Sequence, residues 1–204
     1  MSSFVNVRVF FSKTGNAKYI SHLDLYRAFG RAIKRSALPV WITEGFNPHI
    51  YMTFALPLAL GIEGAEESVD LRLTDVSDAS ELDFNDIART LNSVMPQGLD
   101  VIRAAVPVRK ANQIQRARYR IGVGESGTAV LDEYFSQREI VITKKTKKNI
   151  QTIDVKPLLE WSESVLTLPA GSVLSINPWN VLGNVSVGSV RREAILCDDG
   201  GLFL

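Results

Sequence analysis

The order in which hydrophobic spacing changes is the strongest constraint this chain carries. A strand-like alternation gives way to a helical spacing, further alternating runs, a second helical spacing and a closing strand, and then the same order recurs. Val5, Val7 and Val9 alternate with Asn6, Arg8 and Phe10, which predicts a strand over residues 4–11. Ser21 with Asp24 three positions on is a capping box ahead of Leu25, Phe29, Ala32 and Ile33, so a helix is expected over 21–36. Short strands over 40–43 and 50–56 flank a loop at 44–49, and residues 61–67 read as a further loop. Val69, Leu71 and Leu73 alternate with Asp70, Arg72 and Thr74 as a strand, a second helix spans 82–95, and a strand over 99–108 closes the pass.

The second pass runs through a strand at 118–123, a helix at 128–137, a hairpin of 139–144 with 150–155, and short strands at 164–168 and 173–176. Asn177-Pro178 opens a short helix that Gly183 ends, and a last strand covers 189–196. Two βαββαβ passes predict an α+β fold of tandem ferredoxin-like subdomains with antiparallel sheets. The first, 1–110, carries the loop cluster; the second, 111–204, carries a basic hairpin tip, and Arg109-Lys110-Ala111-Asn112-Gln113 links them. Charge repeats with the same phase. The formal net charge is only +1, yet basic residues gather in 1–50 and 109–156 and acidic ones in 51–108 and 157–204.

Composition enters by exclusion. A single cysteine, Cys197, can form neither an internal disulfide nor a Cys-ligated iron–sulfur cluster or zinc site within this chain. Neither a metal nor a cofactor is expected. The longest apolar run, 54–62, is broken by Pro57 and Gly61 and is too short to span a bilayer. With no basic-then-apolar leader, a cytoplasmic location is expected, without a membrane partner.

The loop Glu44-Gly45-Phe46-Asn47-Pro48-His49 holds more chemistry than a turn requires. In a split βαβ unit the first two strands are parallel, so the turn at 12–16, the helix start at Ser21 and this loop are expected to converge. Lys13, Thr14, Ser21, His22, Glu44, Asn47 and His49 are then the candidate substrate-binding residues of an anion-friendly corner. Structural readings stand beside these roles: Ser21 and Asp24 cap a helix, His22 lies on an apolar face, and Gly45 and Pro48 set turn geometry. Lys144, Lys145, Lys147 and Lys148, on the second hairpin tip, are the candidate nucleic-acid contacts.

Four segments carry a resemblance: Phe11-Ser12-Lys13-Thr14-Gly15, Tyr19-Ile20-Ser21-His22-Leu23-Asp24, the loop at 44–49, and Phe54-Ala55-Leu56-Pro57-Leu58. Together with Thr143-Lys144-Lys145 and Ile153-Asp154-Val155-Lys156-Pro157 they resemble a bacterial radical-SAM-associated domain of unknown function. Domains of that family are often fused behind, or encoded beside, cobalamin-binding radical SAM proteins. Because this chain lacks the Cys-x3-Cys-x2-Cys motif, the resemblance implies a radical SAM protein acting in trans. The expected function is a non-catalytic substrate-recognition module for RNA. The alternatives are a phosphodiester- or anion-processing enzyme using His22 and His49 as acid and base, and a protein-interaction adaptor docking through the 54–62 loop.

Overall fold

Val5–Lys13 forms β1, and its two faces differ because its residues alternate between helix-facing apolar side chains and an outer face bearing Arg8 and Phe10. The coordinates are a computed structural model and describe residues 4–124, 127–145, 150–183 and 185–204. Contacts divide the chain into two units, one running to Ala111 and including Leu204, the other spanning Asn112–Phe203.

In the first unit β1 is followed by α1 (His22–Ser36), β2 (Met52–Phe54), β3 (Glu63–Leu73), α2 (Phe84–Asn92) and β4 (Leu99–Ala105). The strands lie in the order β4-β1-β3-β2 and every neighbouring pair is antiparallel. Ser21 starts α1 by accepting a hydrogen bond from Asp24 N at 3.1 Å, and Asp83 starts α2 by accepting from Asn85 N and Asp86 N at 3.0 Å each. Leu25, Phe29 and Ile33 of α1 and Ile87 and Leu91 of α2 pack on Val7, Val9, Phe11, Val69 and Leu71, which makes the core. Gly98 adopts φ +83° where the chain enters β4, and a Cβ there would lie 2.6 Å from the Thr14 carbonyl oxygen.

Strand β3 begins six residues before its expected start, in what reads as a loop. Glu63, Glu66 and Glu67 carry no apolar alternation, yet the backbone of this stretch pairs with Phe11 and Lys13 of β1. Conversely, the expected strands before and after the 44–49 loop shrink to the single bridges Val40↔Leu73 and Ile42↔Ile50, with β2 after them.

The second unit contains β5 (Ile114–Gly122), α3 (Gly127–Ser136), β6 (Val141–Lys145), β7 (Ile150–Asp154), β8 (Glu160–Ser162), β9 (Val165–Pro169), α4 (Pro178–Leu182) and β10 (Ser189–Cys197). Its sheet has the order β10-β5-β9-β8, again antiparallel throughout, while β6 and β7 pair only with each other. Ala117, Ile121, Leu131, Phe135, Leu166, Leu168, Val181 and Val190 form its buried interior. Both sheets therefore run last strand, first, third, second. In each unit a two-stranded excursion leaves the chain between the first helix and the second sheet strand: residues 40–50 in one, β6–β7 in the other.

Candidate functional site

The 40–50 excursion folds back against the middle of α1, and the two enclose a groove of about 300 Å³. Tyr26 Oη donates to Ile50 O at 3.3 Å and ties the excursion to the helix. Gly30, Ile50 and Met52 supply an apolar floor, and Ile42, Pro48 and His49 the opposite wall. Arg27, Arg31 and Lys34, at helical spacing, form the rim. Arg27 meets Asp24 at 3.5 Å, an exposed pair of little energetic weight. Arg31 and Lys34 make no hydrogen bond or ion pair among the described residues, so their charge is available to a ligand.

The turn beyond the groove is built by its own backbone. Thr43 N donates to His49 O at 2.8 Å and His49 N donates to Thr43 Oγ1 at 3.1 Å. His49 Nδ1 lies 2.9 Å from Asn47 O and 3.0 Å from Thr43 Oγ1. A carbonyl oxygen can only accept, so Nδ1 carries the proton and Nε2 is left as an acceptor in the neutral ring. Gly45 takes φ +118° at the tip. Glu44, Phe46 and Asn47 are exposed, Phe46 fully so.

The expected convergence is not found. Helix α1 returns the chain to the Val5 end of β1 before residue 40, where Val40 bridges Leu73, the partner of Val5. The 44–49 turn therefore precedes β2 instead of following it. It sits at the opposite end of the sheet from Lys13, a separation of roughly 26 Å along β1. Glu44, Asn47 and His49 thus lie at one end, and Lys13, Thr14, Ser21 and His22 at the other.

At that other end the polar groups are committed. Lys13 is 1% exposed and its Nζ donates to Ile20 O at 3.1 Å, because strand alternation puts it on the same inward face as Val7, Val9 and Phe11. Thr14 N donates to Gly98 O, Gly15 N donates to Glu63 Oε1, and Asp100 borders the cleft beside Thr14 and Asn16. Ser21 Oγ donates to Asp24 Oδ2 at 2.7 Å, and that hydrogen bond, against the opposing effect of desolvation and with help from Arg27, holds the Asp24 carboxyl below its ordinary value. His22 is exposed, not buried on the apolar face, and its ring meets the edge of Phe54 at 5.2 Å and 83°. With His22 against Phe54 and His49 on the groove wall, the two imidazoles do not share a pocket as an acid–base pair requires. The 54–62 segment is also mostly turned inward: Leu58 and Ile62 are buried and Phe54 packs against the core, while Leu60 is exposed.

In the second unit Lys144 and Lys145 end β6, with backbones opposite Gln151 and Ile150. Lys147 and Lys148 lie outside the described residues.

A second polar cluster was not foreseen. On the outer face of the first sheet Arg8, 1% exposed, donates to both carboxylate oxygens of Asp70 at 2.7 and 2.9 Å and to Leu204 O at 3.0 Å. Arg103 lies 3.4 Å above the centre of the buried Phe10 ring and donates to Glu66, so Phe10 offers no stacking platform. Arg72 is held among three rings, its guanidinium carbon 4.2 Å from the centre of Phe4, 4.0 Å from Tyr51 and 5.0 Å from Trp41. These rings come from positions 4, 41 and 51, so no local sequence signal announced the cluster.

Among the described residues no three His, Cys, Asp or Glu side chains gather as a metal site would require. No described helix is long and apolar enough to cross a membrane. A sequence profile of the family described as "Uncharacterized protein conserved in bacteria (DUF2344)" matches residues 6–186. No curated protein matches the chain.

Proposed function

The chain belongs to this bacterial family, and on that premise we propose that it is a non-catalytic RNA-recognition module serving a separate radical SAM enzyme. The groove between α1 and the 40–50 excursion is its principal contact. One observation carries this reading: Arg31 and Lys34, which make no hydrogen bond or ion pair among the described residues, line an apolar groove whose Pro48 and His49 end the turn that carries the fully exposed Phe46. Single-stranded RNA offers the complement, phosphates for the cations and unstacked bases for apolar and aromatic surface. In this reading Lys144 and Lys145 at the end of β6, with Lys147 and Lys148 from outside the described residues, are further phosphate contacts.

We read both units as ferredoxin-like, a reading supported by their shared last-first-third-second strand order. The partnership in trans rests on the resemblance of the loops around Ser12, Ser21 and Asn47 to radical-SAM-associated domains. A cytoplasmic setting fits a chain with a single cysteine, Cys197.

The test is fluorescence anisotropy of a labelled single-stranded RNA oligonucleotide across a salt series. Arg31→Glu with Lys34→Glu is expected to weaken binding by about tenfold or more and to flatten the salt dependence by roughly 0.7 log units per lost phosphate contact. Lys144→Glu with Lys147→Glu should add to the loss. Absence of binding at low salt, or affinity indifferent to both pairs of changes, would sink the reading.

A further inference from the structure

We propose that the outer face of the first sheet holds a second site, in which the edge of the Arg72 guanidinium takes the phosphate of a mononucleotide. It goes beyond the RNA groove, with which it shares no lining residue.

A cavity of about 440 Å³ opens there, bordered by Asn6, Arg8, Asp70 and Arg72, by the Tyr51 ring, and by the 106–110 segment. Arg8, Arg72, Arg109 and Lys110 line it together with Asp70, and Arg8, Arg109 and Lys110 have interactions of their own, so the site turns on Arg72. The Asp70 carboxylate is already engaged by both arms of Arg8. Arg72 has no such partner: its guanidinium makes no hydrogen bond or ion pair among the described residues, and its Nε is buried without an acceptor.

The stacked rings explain why the charge tolerates this and what it is open to. Phe4 and Tyr51 approach the guanidinium within 4.2 Å, Trp41 within 5.0 Å, and rings satisfy a cation through its face. Ring faces do not supply the oxygen lone pairs that a guanidinium N–H ordinarily takes. What remains is a cation whose N–H donors have no oxygen acceptor among the described residues, and a phosphate supplies such acceptors. Val106, Pro107 and Val108 with Tyr51 line the cavity with apolar surface on which a base can lie.

The experiment is calorimetric titration of the full chain with adenosine 5′-monophosphate, with adenosine and inorganic phosphate as separate arms. The nucleotide is expected to bind saturably, phosphate to compete for the site, and adenosine alone to bind at least about tenfold more weakly, since the charge-assisted hydrogen bonds are lost. Arg72→Lys keeps the charge without the guanidinium and should cost about tenfold, because an ammonium does not reproduce bidentate contact. Asn6→Asp leaves Arg72 in place but sets a carboxylate opposite it, and should block the nucleotide without lowering the melting temperature. Arg31→Glu with Lys34→Glu should leave this binding unchanged, so failure here and failure of the RNA groove are told apart. Equal affinity in Arg72→Lys and Asn6→Asp, adenosine binding as tightly as its monophosphate, or no heat at millimolar nucleotide would each overturn the proposal.

Discussion

Two neighbouring rungs of the β1–β3 ladder solve the same problem differently. Arg8 stands opposite Asp70, and Asn6 stands opposite Arg72. Each rung places one arginine on the outer face. The first is closed by a cross-strand carboxylate that takes both arms of the guanidinium. The second has an amide where the carboxylate would be, and its arginine is steadied by Phe4, Trp41 and Tyr51. A closed rung spends its charge on the fold. An open one keeps its donors in reserve, and the difference between them is one side chain, Asn6 against Asp70.

Removing each arginine should expose the contrast most strongly. Arg8→Met strands the Asp70 carboxylate beside a buried surface and is expected to cost about 3 kcal/mol in urea denaturation. Arg72→Met removes only cation–ring contacts, replaces them with a polarizable apolar chain, and should cost about 1 kcal/mol or less. Equal losses would erase the distinction. Asn6→Asp converts the open rung to a closed one and should raise stability by about 0.5 kcal/mol, the ordinary worth of an opposite-charge cross-strand pair. The smallest effect lies at the start of α1, where a carboxylate is committed to a cap instead of a rung. Asp24 has its carboxyl lowered by Ser21, so its contribution is present above the ordinary value of 3.8 and disappears as pH falls through the lower folded value. Ser21→Ala should flatten that acid-side slope in a pH series of melting temperatures.

Much of the fold could be read from local pattern. Leu25, Phe29 and Ile33 at helical spacing behind the Ser21 cap describe α1 within a residue of its ends, since cap and apolar face are both short-range signals. The first six residues of β3 could not be read, because Glu63, Glu66 and Glu67 are held by backbone pairing with β1 and show no alternation of their own. The site was harder. Pro48 and His49 of the 44–49 loop line a groove, but the neighbours assigned to the loop were wrong: parallel strands share their ends, and this turn precedes β2 whereas Lys13 ends β1, at the opposite end of the sheet. Its actual neighbours, Arg27, Arg31 and Lys34, resemble any solvated helix face until the excursion is seen folded against them. The Arg72 cluster joins residues 4, 41, 51 and 72, and no sequence window contains that arrangement.

The closed rung also has a consequence for how the chain finds its pairing. Sliding β1 by two residues against β3 would keep every apolar side chain on its proper face, so hydrophobic pattern alone cannot forbid the error. Charge can. A slip one way would set Arg8 directly against Arg72, and the other way against Ser68. The Arg8–Asp70 pair thus serves as an index mark, distinguishing the native alignment from the two nearest impostors that burial would accept.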